Sequence, residues 1–137
     1  MVSSEDYNWF QERVLPEGVS LQVLDGEKVV FTSSGKWLYP LLDLEEFLAV
    51  EKLDAKELFL HDQITGRAAA ALTIRLGFVR VKSHLLSRLA EELYQNYQVT
   101  YYYDTRVDRI LCQTENIIDD SMSLSEIYQL IQSRDRR

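Results

Sequence analysis

The chain has 137 residues, of which 46% are hydrophobic and 27% charged, a composition that fits one globular domain with one core. Its formal net charge of −7 argues against a nucleic-acid partner, because affinity for phosphate backbones needs a basic surface. A single cysteine excludes an internal disulfide and suits a cytoplasmic setting; no signal peptide is expected, and no stretch reaches the roughly 18 apolar residues of a membrane span.

Residues 4–15 read as a short amphipathic helix carrying Trp9, Phe10, Arg13 and Val14, ended by Pro16 and Gly18. Val19, Leu21 and Val23 alternate with polar neighbours, which is strand periodicity. Asp25-Gly26, between Val23-Leu24 and Val29-Val30-Phe31, predicts a two-residue type I′ hairpin, because glycine accepts positive φ. Leu41, Leu44, Phe47 and Leu48 predict a helix over 40–52, with Pro40 tolerated in its first turn. Leu58-Phe59-Leu60 reads as a buried strand. Thr65 to Leu76 is apolar apart from its threonines, Gly66, Arg67 and Arg75, the pattern of a buried helix, and Gly77 suits its C-terminal cap. Phe78, Val79 and Val81 form the next strand, and Leu86, Leu89, Ala90, Leu93, Tyr94 and Tyr97 an amphipathic helix. Val99 to Tyr103 is a strand on which Tyr101 and Tyr103 share a face. Val107 to Cys112 offers a further strand. Leu124, Ile127, Tyr128 and Ile131 mark a last helix, with Ser123 or Ser125 as its cap.

The middle of this order is two βαβ units, so the strands near 58–61, 78–82 and 99–103 should be parallel, with right-handed crossovers. The expected architecture is α/β: a three-layer α/β/α sandwich around a mixed sheet that starts with an N-terminal antiparallel hairpin. One domain covers 1–137, with a peripheral helix over 1–18, a core over 19–118 and a C-terminal helix over 119–137.

Two segments carry a resemblance. Gly35-Lys36-Trp37-Leu38-Tyr39-Pro40-Leu41-Leu42 is similar to a Gly-x-x-Pro-Leu stretch, and Asp62-Gln63-Ile64-Thr65-Gly66-Arg67-Ala68-Ala69-Ala70 to an Asp-Lys-x-x-Gly-Lys-Ala-Ala-Ala signature. Ser87 matches a helix-opening serine, and Cys112-Gln113-Thr114-Glu115 resembles a Cys-Pro-Met-Glu element. Together they resemble an uncharacterised prokaryotic family, a domain of unknown function with a cytidine-deaminase-like fold lacking the zinc ligands. The resemblance covers about 20–118. Gln63 stands where that family usually has lysine, and Gln113 where it has proline.

Active deaminases of this fold hold zinc through His/Cys-x-Glu and Pro-Cys-x-x-Cys motifs at successive helix starts. Here those starts fall near Thr65-Gly66-Arg67 and Leu86-Ser87 and carry neither motif. Only His61, His84 and Cys112 remain as soft-metal ligands, and no metal or cofactor is expected. The Thr65-Gly66-Arg67 helix start offers free amides, close backbone approach at Gly66 and Arg67 as a fork for an anion. The plainer reading is a tight turn and a solvated arginine. Asp62 lies at a strand end, where parallel sheets gather ligand groups, or is an ordinary turn aspartate. Ser87 either caps its helix or touches the ligand. The ligand-binding candidates are thus Asp62, Thr65, Gly66, Arg67 and Ser87. Cys112 reads as a small buried hydrophobe, or as a thiol nucleophile with Glu115 nearby. Asp62, Cys112 and Glu115 are the catalytic candidates.

The favoured function is a small-molecule-binding protein whose ligand is nucleotide-like or another anionic metabolite. The alternatives are a zinc-independent enzyme using Asp62 and Cys112, and an interaction module that docks through Trp9 and Phe10. A homo-oligomer is compatible with all three. The pocket is expected where the Thr65–Arg67 helix start meets strands 58–61 and 78–82, with Cys112 to Glu115 nearby.

Overall fold

A computed structural model of the chain describes residues 7–110 and 122–134. Five strands, β1 Leu21–Asp25, β2 Lys28–Ser33, β3 Phe59–Thr65, β4 Arg80–Ser87 and β5 Thr100–Val107, form one sheet in the order β2-β1-β3-β4-β5. β1 runs antiparallel to β2 and β3, whereas β3, β4 and β5 are parallel, as the two βαβ units require. The helices are α1 Asn8–Gln11, α2 Tyr39–Glu51, α3 Arg67–Leu76, α4 Arg88–Asn96 and α5 Leu124–Ser133, with a 3-10 turn at Ala55–Glu57. The result is an α/β sandwich with a mixed sheet.

Local chemistry sets the ends of these elements. The hairpin turn lies one residue later than expected: Asp25 pairs with Lys28, so the loop is Gly26-Glu27, and Gly26 at φ +59 is its one residue in the left-handed region. Positive φ at the first central position alone is the type II′ pattern, not type I′. Gly77, at φ +105, closes α3. The Ser87 hydroxyl accepts the Ala90 N–H at 3.1 Å and opens α4, and Ser123 and Glu126 form a reciprocal capping box on α5. Leu86, expected in a helix, ends a strand instead. It pairs with Thr65 on one side and Arg106 on the other, and a ladder shared with two neighbours overrides its helical spacing. The strand expected over Val107 to Cys112 does not form in its described part, because β5 ends at Val107 and 108–110 are irregular; Leu111 and Cys112 lie outside the described residues.

Alternation along the strands separates two faces of unequal thickness. On one, Leu21, Val23, Leu60 and Val81 meet α2, α3, α4 and α5 in the main core. α3 is the centre of that layer: it packs on both α4 and α5, and its run Ala68–Thr73 is buried. The other face carries a thinner layer. Phe10 is fully buried there with Leu24 and Phe59, and its ring lies 4.9 Å from that of Phe59, as does Trp9's. The N-terminal segment is therefore packed on the sheet, and of the helix expected over 4–15 the described residues hold the four of Asn8–Gln11. A helix that short satisfies few of its own carbonyls. The buried Lys82 ammonium does so instead, donating to the carbonyl oxygens of Gln11 and, at 2.8 Å, Arg13. The aromatic face offered by Trp9 and Phe10 is thus occupied inside the fold.

Candidate functional site

A cleft of about 710 Å³ opens at the C-terminal ends of the parallel strands. One wall is the N-terminal strap, residues 14–20; another is the loop before α2, residues 35–38; the floor is the end of β3 and the first turn of α3. Its lining is mainly apolar, from Leu15, Trp37, Leu38 and Leu41, with a few polar groups: the composition of a ligand pocket. Val14 and Ile64 leave exposed apolar surface at the mouth. The two walls are tied together by the Ser20 hydroxyl, which donates to the Gly35 carbonyl at 2.5 Å. Gly35 sits in a tight place, since a Cβ there would meet Ser33 Oγ at 3.3 Å and Pro40 Cγ at 3.4 Å.

Trp37 holds its backbone at φ +56, in the left-handed region that bulky side chains avoid. Such a conformation costs on the order of 1 kcal/mol and persists where surrounding structure fixes it. Its indole meets Tyr39 edge-on at 5.1 Å.

Asp62 is 7% exposed and forms part of the cleft wall. The Thr65 hydroxyl donates to Asp62 Oδ2 at 2.9 Å, and Thr65 Oγ1 lies 2.7 Å from Ser83 Oγ. With the Thr65 proton committed to the carboxylate, Ser83 must donate to Thr65, so a directed chain runs Ser83 to Thr65 to Asp62. Burial pushes the Asp62 carboxyl up to about 7, against hydrogen bonds from Thr65 and from the Gln63 and Ile64 amides that favour the charged form. None of the ion pairs among the described residues involves Asp62.

His61, the preceding residue, points to the opposite face. It is 1% exposed, and an Arg13 guanidinium nitrogen lies 2.9 Å from its Nδ1, which is therefore an acceptor. Burial, then the nearby Arg13 and Lys82 charges, push its pKa down to about 3, so it stays neutral. Arg13 also donates to Gln22 Oε1 at 2.5 Å. Lys82 pairs with Asp104 at 3.1 Å, and His84 Nδ1 lies 3.0 Å from the other Asp104 oxygen. Burial opposes ionisation of Asp104, but the bonds from His84 and Lys82 hold its carboxyl below its ordinary value.

The expected site residues divide. Asp62 and Gly66 reach the cleft; Thr65, fully buried, supports Asp62 from behind. Arg67, expected to project as a movable fork, is 7% exposed, absent from the cleft wall and engaged within the fold. A side chain this deep in the first turn of a buried helix is not free to swing onto a ligand. Ser87 is fully buried and serves as the α4 cap, away from the cleft. His61 and His84 both touch the cleft, yet each is taken by a separate partner. Cys112 and Glu115 lie outside the described residues, though Ile110 stands on the cleft wall. Among the described residues no group of three or more His, Cys, Asp or Glu side chains is placed to hold a metal ion. Sequence reasoning missed Trp37, whose place two residues after Gly35 in a loop was a signal, and the Arg13, Lys82 and Asp104 network, which had none.

The family model described as a domain of unknown function (DUF1893; TM1506) matches residues 11–134. A solved structure, that of a DUF1893 family protein (TM1506) from Thermotoga maritima, is similar at a TM-score of 0.77 with 19% identity over 98% of this chain and 93% of that one, which is a likeness of fold. No curated protein matches the chain. With its whole sheet and the helices α2 to α5 inside the matched region, the chain belongs to the DUF1893 family, a domain of unknown function.

Proposed function

We propose that the chain is a small-molecule-binding protein whose ligand lies in the cleft between Trp37 and Asp62, on a zinc-less, cytidine-deaminase-like fold. The observation that carries the binding reading is a buried carboxyl, without a counter-ion among the described residues, on the wall of a mainly apolar cleft of about 710 Å³. Both are costly to keep in a fold that uses neither. Support for the deaminase-like reading comes from the sheet order β2-β1-β3-β4-β5 and the two parallel crossover units. The zinc-less reading rests on the helix starts, which carry Gly66-Arg67 and Ser87-Arg88 where zinc motifs would stand. Among the described residues, Glu17, Asp62 and Asp104 line the cleft against Lys36 as its one lysine or arginine. That balance favours the ring of a nucleotide-like molecule over its phosphates. A cytoplasmic setting belongs to the same proposal; no helix of the described residues is long and apolar enough to cross a membrane.

Thermal-shift screening with nucleosides, nucleotides and sugar phosphates tests this reading. A ligand at 100 times its Kd stabilises the fold by about 2.7 kcal/mol. The shift should vanish in Trp37→Ala and Gly66→Val. A saturable ligand indifferent to both substitutions places the site elsewhere.

A second reading, a zinc-independent enzyme, is favoured by one observation: the Asp62 carboxyl is poised near 7 at the end of a hydrogen-bonded chain, as a general acid or base requires. Turnover abolished in Asp62→Asn while binding persists would establish it.

A further inference from the structure

Asp62, buried on the cleft wall and without a counter-charge among the described residues, defines what the ligand must bring. Asp62 donates nothing when ionised; it accepts from the Thr65 hydroxyl, and its carboxylate is further favoured by the Gln63 and Ile64 amides. Every described neighbour that bonds to it is a neutral donor, so charge on Asp62 is hydrogen-bonded but not neutralised. The titratable and charged groups around it come from every adjoining element. Tyr94 of α4 is a fully buried phenol whose ionisation burial and the Asp62 charge both oppose. His61 of β3, whose ring bonds to Arg13 on the other face of the sheet, also touches the cleft and is held neutral. His84 of β4 and Asp104 of β5 are bonded to each other. Glu17 on the strap and Lys36 on the facing loop complete the rim, and Arg67 opens α3. The apolar walls, Leu15, Trp37, Leu38 and Leu41, suit a hydrophobic ring.

We infer that the cleft selects a ligand with an apolar, ring-bearing body and a cationic N–H-donating head, an amine or amidine, which seats on the Asp62 carboxylate. The inference rests on the cleft being a ligand site and names the chemistry of that ligand. A charged donor supplies the partner that the fold withholds, in a water-poor setting where charge-assisted hydrogen bonds are strong. Because the unliganded carboxyl titrates near 7, seating a cation on it releases the Asp62 proton to solvent, and affinity rises with pH. An anionic head meets the opposite: it needs Asp62 protonated and binds better as pH falls.

The test uses the full-length protein and three probes that share a ring and differ in the head: benzamidine, benzamide and benzoate. Binding is followed by chemical-shift titration of the backbone amides at about pH 6 and about pH 8. Benzamidine should perturb residues 35–38, 61–64 and 66–69, outbind benzoate by about tenfold or more at the higher pH, and tighten about tenfold between the two pH values. In Asp62→Asn, both the preference and the pH dependence should disappear while benzamide binding is retained. The wild-type pH dependence stands by itself if that variant does not fold. Benzoate preferred over benzamidine, or benzamidine bound with no pH dependence, overturns the head-group assignment and leaves the cleft as a binding site. Benzamidine shifts that map away from the cleft, or silence from all three probes on folded protein, count against the cleft as a ligand site, and the inference falls with it.

Discussion

His61 and Asp62 are neighbours in β3, both buried, both pushed toward their neutral forms, and they face opposite sides of the sheet. On the His61 side every group has company: Arg13, Gln22, Lys82, Asp104 and His84 form a bonded network that fixes the N-terminal segment to the sheet. On the Asp62 side the carboxyl rests on hydroxyls and amides, with no cation among the described residues, and opens to the cleft. Buried polar groups are kept when satisfied. The difference therefore separates a face whose polar groups hold the fold together from one whose polar group awaits something from outside.

The largest expected effect tests whether the N-terminal layer is integral. Phe10→Ala removes a fully buried ring that packs on Phe59, and should cost about 3–5 kcal/mol in urea unfolding. A loss below about 1 kcal/mol would return residues 7–15 to the periphery. Lys82→Met keeps the bulk and removes the ammonium that holds the Gln11 and Arg13 carbonyls, with an expected cost of about 2–3 kcal/mol. Faster amide exchange confined to residues 8–20 would show that the loss acts through the strap.

The neighbours should also give opposite pH signatures. With its folded pKa near 3, His61 is neutral where the unfolded chain is protonated, so its contribution destabilises below about pH 6.5 and stability rises with pH across that window. Asp62, with its folded pKa near 7, holds a proton the unfolded chain has lost, so its contribution makes stability fall as pH rises from about 4 to about 7. Between about pH 4 and pH 6.5 the two slopes offset each other. Asp62→Asn should unmask the rising slope and His61→Gln the falling one, each approaching about 1.4 kcal/mol per pH unit relative to wild type. Parallel profiles for wild type and Asp62→Asn would mean that Asp62 is ionised in the fold without penalty. The smallest effect belongs to Trp37→Asn, which should change stability by less than about 1 kcal/mol, because relief of the left-handed backbone offsets lost apolar contact. A larger loss would make the indole a core residue and not a cleft wall.

Much of this fold was legible because its elements are punctuated locally. Gly77 closes α3 where the apolar run ends, Pro40 opens α2, Ser123 caps α5, and the order of strands and helices already required β3, β4 and β5 to be parallel. Asp62 and Gly66 were legible as site candidates because a strand end followed by a helix start concentrates ligand groups. Ser87 was legible as the cap it forms, but its depth and that of Arg67 were not, because exposure is not a local property: a charged or hydroxyl side chain at a helix start reads alike whether it faces solvent or the neighbouring layer.

What sequence alone determined here is periodicity and punctuation, since turn, cap and alternation chemistry act within a few residues of the chain. Tertiary structure decided on which face of β3 the buried group meets charged partners and on which it meets neutral ones. Arg13 reaches His61 across 48 positions, and Lys82 reaches Gln11 across 71. No such partner arrives at Asp62 among the described residues. Whether a buried charge finds a counter-charge depends on residues far apart in the chain being brought together by packing, and that is settled only when the layers close.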